Sequence, residues 1–286
     1  MKKVYTAFSF NGTVYTDLIN VSLENNMYSE NMRGNRTLLK EKIPGRDIPY
    51  FYAVEDEALE FDVVFALTVA KSKSELRVML RNLVAQTGYK ELHFGSYNVS
   101  TSTYTRESPI YKVIFDGESK LDFVGTNVYN EGVATLKYFG YFTLKACADR
   151  PYGFENVTST ITASGTGTAT INNTGDLPIF PNIVITNGAT AYSVPVRIYN
   201  NTNQTSLTLS SLGAAEVVTV NAVLKVISST VAGVYSRWTQ RDDLELNAGN
   251  NTIYLQQYTG GSWVNITSNP WASVAFTFEA PTFIKE

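Results

Sequence analysis

The chain has very few of the residues from which catalytic and metal sites are usually built. It holds one cysteine, Cys147, and one histidine, His93, among 286 residues. A lone cysteine cannot close a disulfide within the chain, and a Ser-His-Asp or Cys-His site would have to use that one histidine. Zinc needs three or four Cys, His or carboxylate ligands, and the sequence has no such cluster. We therefore expect no metal, no other cofactor and no enzyme activity.

Charge is scarce in the second half of the chain, and long apolar runs are missing throughout. Residues 1–153 hold 18 Lys+Arg and 18 Asp+Glu, whereas residues 154–286 hold 5 and 8. The differences, 0 and −3, add to the net charge of −3. Without a basic tract we expect no nucleic-acid binding. Without a signal peptide or a membrane-length apolar segment, we expect synthesis in the cytoplasm and no membrane segment.

A boundary between two domains is indicated by residues 140–153, GYFTLKACADRPYG. An alternating strand runs here into a charged turn and a proline, and charged residues become rare after it. We predict a first domain at 1–153 and a second at 154–286, each long enough to bury its own core.

The first domain contains a single segment with a helical period. Its apolar residues recur at helical spacing, and Ser72 with Glu75 matches a capping box while Gly88 suits the end. The stripe consists of Leu76, Met79, Leu80, Leu83 and Val84. We predict a helix over about 73–87, a half-buried strand over 59–69, and further strands near 91–94, 110–115 and 133–146. This pattern predicts a β-rich α+β domain, a sheet or barrel with one helix.

Residues 20–50 predict a protruding β-hairpin arm. Arg33, Gly34, Asn35 and Arg36 would form its tip, because Gly and Asn accept positive φ, and Pro44, Gly45, Arg46 and Asp47 would lie at its return. The arms are too polar to form a core alone, and an isolated hairpin is marginal in water. If ordered, the arm would lean on a neighbouring subunit; the alternative is an insertion loop without fixed structure.

The second domain predicts an antiparallel β-sandwich. Strand patterns recur at short spacing between turn clusters, and no helical period appears. The predicted strands are 168–172, 182–186, 194–199, 205–209, 216–227, 252–256, 262–266 and 272–278. Trp238, Trp263 and Trp271 all lie in this half. They would fill the core, stack on sugar rings or contact another protein.

Several motifs in a fixed order resemble the distal tail proteins (Dit family) of bacteriophages with long, non-contractile tails, the siphovirus type. In the first half they are FSFNG at 8–12, IPGRD at 43–47, the strand LEFDVVFAL, the helix followed by ELHFG, YKVIFDG at 111–117 and GYFTLKACADRPYG. In the second half they are NNTGDLPIFPNIVITNG at 172–188 and ELNAGNNTIYL at 245–255. The resemblance covers nearly the full length.

The resemblance implies a structural virion protein at the tail tip. The first domain would form a ring, a hexamer in this family, with the hairpin arm reaching the adjacent subunit. The second domain would be a galectin-like sandwich on the outside. The ring would join the tail-tube protein to the tail hub, with its fibre or lysin, in the tail-tip or baseplate apparatus for host adsorption. The alternative function is a carbohydrate-binding adhesion module that contacts host cell-wall polysaccharide.

Overall fold

The computed structural model describes residues 5–20, 36–41, 50–130, 133–162, 167–222, 224–240, 244–266 and 271–282. These residues are mainly β-strand, and the chain divides into two units, Met1–Gly153 and Phe154–Thr282, with 283–286 counted in the first. No described helix is both long and apolar enough to cross a membrane.

The N-terminal unit contains ten strands and one helix within its described residues. The strands before the helix are β1 Ala7–Phe10, β2 Thr13–Tyr15, β3 Leu18–Asn20, β4 Arg36–Glu41, β5 Tyr50–Asp56 and β6 Glu60–Leu67. Helix α1 is Lys73–Val84. The strands after it are β7 Lys90–Asn98, β8 Thr103–Arg106, β9 Tyr111–Asn130 and β10 Val133–Ala148.

Eight of these strands form one antiparallel sheet. The order is β2-β1-β7-β9-β10-β6-β3, and β8 pairs with β7. The outermost strands, β2 and β3, are separated along the chain only by Thr16 and Asp17. Because that link is so short, the two edges of the sheet lie close together and the sheet curls into an open barrel. The Thr68 N–H donates a hydrogen bond of 2.9 Å to the Asp17 carbonyl oxygen, and this bond joins the link to the end of β6.

Aromatic side chains fill the barrel, and the helix covers part of it. Phe8, Phe65 and Phe142 are fully buried, with ring centroids 4.7 Å apart for Phe8 and Phe65 and 5.2 Å apart for Phe65 and Phe142. Helix α1 buries Leu76 and Leu83 in the same core. The capping box is formed, since the Ser72 side chain accepts from the Glu75 N–H while the Glu75 carboxylate accepts from the Ser72 N–H.

The C-terminal unit consists of two antiparallel sheets with one turn of helix. Its elements are β11 Gly153–Thr162, β12 Thr168–Asn173, β13 Asn182–Asn187, β14 Val196–Asn200, β15 Thr205–Leu209, β16 Val217–Asn221, β17 Val226–Ser229, α2 Val234–Arg237, β18 Trp238–Gln240, β19 Gly249–Thr259, β20 Ser262–Asn265 and β21 Trp271–Thr282. A five-stranded sheet has the order β11-β21-β13-β16-β17. A six-stranded sheet has the order β12-β19-β14-β15-β18, with β20 paired to β19.

Both sheets direct alternate apolar side chains into one shared core. Ile183 and Phe276 come from the five-stranded sheet, and Ile198 and Ile253 from the six-stranded sheet, and all four are buried. This is the arrangement of a β-sandwich. The predicted fold class is confirmed: mainly β, with a one-helix N-terminal α+β unit and a C-terminal antiparallel sandwich. In the C-terminal unit, the helical turn α2 and the strands β11 and β18 were not predicted, and the predicted strand 216–227 is a pair, β16 and β17.

Candidate functional site

A hairpin is present in part of the predicted arm region. Strand β4 pairs with β5, with Arg36 opposite Asp56 and Glu41 opposite Tyr50. The segment that connects these two strands lies between residues 41 and 50, and the tip at 33–36 stays a prediction. Residues 33–35 and 44–47 themselves lie outside the described residues.

The three predicted contact tryptophans occupy different environments. Trp238 is 8% exposed and belongs to the sandwich core, which is one of the three alternatives given for the tryptophans. It lies on β18 opposite Leu209, where apolar packing removes its ring from solvent. Trp263 is half-buried on β20. Trp271 begins β21, and its side chain lies outside the described part.

An exposed apolar surface lies on the long hairpin formed by β9 and β10. Val124 and Phe139 are opposite each other across the two strands and are 72% and 43% exposed. Tyr141, two residues beyond Phe139 on the same face, is also exposed. We call these three residues the hairpin patch. Strand β6 pairs with β10 only from Tyr141 to Cys147, so the outer part of the hairpin extends past that neighbour.

A second surface cluster surrounds Arg197 on the outward face of the six-stranded sheet. The Arg197 guanidinium carbon lies 4.5 Å from the centre of the Tyr199 ring and 4.3 Å from the Trp263 ring. Its Nε donates to Gln256 Oε1 at 2.7 Å, and Gln256 Nε2 donates to Asn265 Oδ1 at 2.9 Å. We call Arg197, Tyr199, Gln256, Trp263 and Asn265, together with Tyr258, the arginine face.

Neither surface is predicted from the sequence, and the one signal that it contains is the alternation along β14. In VRIYN, Val196 and Ile198 are buried, which places Arg197 and Tyr199 outward. Arg197 is one of only five Lys and Arg residues in 154–286, so it is a rare cation there.

Histidine and cysteine often take part in catalysis, but in this chain both lie on strands of the N-terminal sheet. His93 Nδ1 lies 2.9 Å from the Tyr104 hydroxyl, on paired strands β7 and β8. Burial raises the pKa of the Cys147 thiol, as do the nearby Glu60 and Asp116 carboxylates. Among the described residues no group of three or more His, Cys, Asp or Glu is arranged to hold a metal ion. Asp242 and Asp243 lie outside the described part.

Comparisons with known proteins agree with these observations. Residues 3–130 match the family model described as phage tail protein N-terminal domain. The solved structure of Dit from phage SPP1, titled a paradigm of the hub adsorption apparatus in phages that infect Gram-positive bacteria, matches at a TM-score of 0.57 and 14% identity over 97% of this chain and 99% of that one. No curated protein shows significant sequence similarity.

Two structures of the phage P2 baseplate in its activated conformation are also similar, with Ca and with Sr. Their TM-scores are 0.42 and 0.41, their identities 9% and 8%, and each match covers 96% of this chain and 99% of the other.

Residues 3–130 are therefore similar to the N-terminal domain of phage tail proteins. The whole chain has the fold of the siphophage hub protein Dit, which confirms the resemblance to distal tail proteins.

Proposed function

We propose that the chain is a distal tail hub whose N-terminal unit assembles into a ring, a hexamer as in the family it resembles. The ring would join the tail-tube protein on one face to the tail hub, with its fibre or lysin, on the other. It would act in host adsorption at the tail tip after synthesis in the host cytoplasm. Its work would be done by contacts between proteins and not by catalysis.

The observation that carries this proposal is the hairpin patch. A Val, a Phe and a Tyr on one face of a protruding hairpin form an apolar surface that a monomer would expose to water. Contiguous exposed apolar surface of this kind marks sites of protein–protein contact. In a ring of identical chains, the patch would be covered by a different surface of the next copy, the heterologous contact that closes by rotation.

The β4–β5 hairpin supports the same proposal. Within the described residues it forms a two-stranded sheet of its own, with no third strand on either edge. Leu38 and Leu39 on β4 are both exposed. Because a free two-stranded hairpin is marginal in water and has open edges, a neighbouring copy that adds strand or apolar contacts would stabilise it. We retain Arg33–Arg36 and Pro44–Asp47 as proposed contacts of this arm with the next subunit.

The test is the assembly state of the full chain, alone and mixed with its tail-tube protein, measured by light scattering and electron imaging. We expect six-fold rings with a central hole. Burying a Phe side chain contributes roughly 1.5–3 kcal/mol, so Phe139→Ser should weaken each contact about tenfold or more. Val124→Ser should act in the same direction.

The matched control is Val99→Ser, which removes an 82% exposed valine from the turn between β7 and β8. It should leave assembly unchanged. A chain that stays monomeric at high concentration with its tail-tube protein present would contradict the proposal. So would rings that form equally well with both patch variants.

A further inference from the structure

The side chains of the arginine face project outward from neighbouring strands as cross-strand pairs. Arg197 lies opposite Gln256 across β14 and β19, and Gln256 lies opposite Asn265 across β19 and β20. Two residues farther along β19, Tyr258 lies opposite Trp263 on β20. With Tyr199, the strands therefore hold one cation, two amides and three aromatic rings on the same surface.

The guanidinium of Arg197 is fixed in place by these neighbours. It lies against both the Tyr199 and Trp263 rings, and its Nε is engaged by Gln256, which Asn265 in turn orients. Stacking against aromatic rings and a directed Nε hydrogen bond leave the two terminal nitrogens as the free donors of the fork. Neither terminal nitrogen has an acceptor in the described part of the chain.

The charge on Arg197 has no carboxylate beside it among the described residues. Arg237 differs, because it pairs with Glu216 through Nη2 at 2.5 Å and Nη1 at 2.8 Å. Burial lowers the pKa of Arg197, so the surroundings remove part of its hydration without supplying a counter-charge. A fixed guanidinium fork of this kind matches the two oxygens of a carboxylate or phosphate.

The rest of the face fits a sugar ring. Trp263 and Tyr258 meet edge to face, with ring centres 5.4 Å apart, and Tyr258 is 41% exposed. Aromatic rings present flat apolar surface, while Gln256 and Asn265 supply amide donors and acceptors for hydroxyl groups. Among the described residues this face has a single cation, and a nucleic acid would require a positive tract.

We propose that the arginine face binds an acidic saccharide. The carboxylate or phosphate of the ligand accepts hydrogen bonds from the terminal nitrogens of Arg197, and the sugar ring packs on Trp263 and Tyr258. The carbohydrate-binding module suggested by the sequence would thus use Trp263, which the sequence analysis named, and Arg197, which it did not. This inference does not depend on ring assembly, because the whole site lies within the sandwich.

The test is calorimetric titration of the full chain, with tryptophan fluorescence as a second readout. The probes are trigalacturonic acid for a carboxylate, glucose phosphate for a phosphate, neutral cellotriose, inorganic phosphate and hexaglutamate. We expect the acidic saccharides to bind. Cellotriose should bind at least about tenfold more weakly, because it lacks the charged acceptor for Arg197. Inorganic phosphate and hexaglutamate should also bind about tenfold more weakly, because they lack a sugar ring to pack on the aromatic side chains.

Arg197→Gln should weaken binding of the acidic saccharides about tenfold to a hundredfold, by the same reasoning. Trp263→Leu should also weaken it, and the control Arg77→Gln, at an exposed position on α1, should not. Circular dichroism checks that each variant is folded. If Arg197→Gln fails to fold, the proposal is tested by the preference of the unaltered chain among the probes and by the affinity of the Trp263→Leu variant.

Four results would overturn the proposal. These are no binding of either acidic saccharide, equal binding after Arg197→Gln, equal binding of cellotriose, and binding of inorganic phosphate or hexaglutamate as tight as that of the saccharides. The last would define a simple anion site or an acidic-peptide site. Ring assembly of the same variants is measured separately, so failure here leaves the hub proposal intact.

Discussion

Glu216 is fully buried and yet held as a carboxylate. Burial alone would raise its pKa, but hydrogen bonds from Arg237, from the Ser229 hydroxyl and from the Gly213 N–H outweigh that effect and lower the pKa below its usual value. Ser229 lies on β17 and Arg237 ends α2, so one carboxylate joins two elements to the loop before β16. A buried charge with all its partners present is stable, whereas one that loses a partner is costly.

We predict that Glu216→Gln destabilises the C-terminal unit at neutral pH by about 3 kcal/mol, because Arg237 is left without its counter-charge. A carboxyl whose pKa is lowered by folding stabilises the protein above its unfolded pKa, and this contribution is lost as the pH falls through the folded value. The difference in unfolding free energy between the unaltered chain and Glu216→Gln should therefore narrow below about pH 4.5, the ordinary pKa of Glu. Urea unfolding across this pH range measures it.

Glu245→Gln, at a half-buried carboxylate of the same unit, is the control and should change little. Parallel stability–pH curves for the unaltered chain and Glu216→Gln would show that this carboxylate is not the group that titrates.

At the scale of elements, the β9–β10 hairpin depends on one glycine. Gly140 has φ of +148°, and a Cβ built there would lie 2.1 Å from the Asp122 carbonyl oxygen on the facing strand. No L side chain fits at that distance without moving backbone. The glycine therefore sets the approach of the two strands next to Phe139 and Tyr141, the residues of the hairpin patch.

We predict that Gly140→Ala destabilises the N-terminal unit by about 2 kcal/mol or more, because it adds both backbone strain and a clash. The control, Gly125→Ala, lies on the other strand of the hairpin, where the new Cβ would meet only the ends of Leu136 at 3.2 Å and Tyr138 at 3.4 Å. Chemical denaturation followed by tyrosine fluorescence gives both values. Similar losses of unfolding free energy in the two variants would show that the close approach of the strands at Gly140 does not cause the destabilisation.

Most elements could be predicted from periodicity, and the exceptions have physical causes. The helix was expected at 73–87 and ends at Val84, because the chain turns at Ala85 before Gly88. Strand β9 runs to Asn130, far beyond the expected 110–115, because its outer half has no regular apolar alternation and is held by pairing with β10. The sequence did not reveal the pairing of β4 with β5, because strands without a regular apolar alternation have no pattern that fixes their register.

The surfaces were harder to predict than the fold. Three tryptophans look equivalent in the sequence, and only tertiary packing separates buried Trp238 from half-buried Trp263. Arg197 becomes notable only when strand pairing brings Gln256 to it, because those residues are far apart along the chain.

At the scale of the whole molecule, the two units have separate hydrophobic cores. We predict two thermal unfolding transitions in scanning calorimetry. Gly140→Ala should lower one of them and Glu216→Gln the other, by about 3 °C for each kcal/mol lost. A single transition that both substitutions lower would show that the units unfold as one.

Pairing between distant strands joins the early and late parts of the N-terminal unit during synthesis. Strand β1 pairs with β7 and β3 pairs with β6, while β9 and β10 lie between those halves. In a nascent chain one edge of β1 therefore stays unpaired until β7 emerges from the ribosome, and the two halves are joined only when β10 follows. Translation that stops before Ala148 should yield fragments that aggregate, so the ribosome must pass this strand before the N-terminal unit can fold.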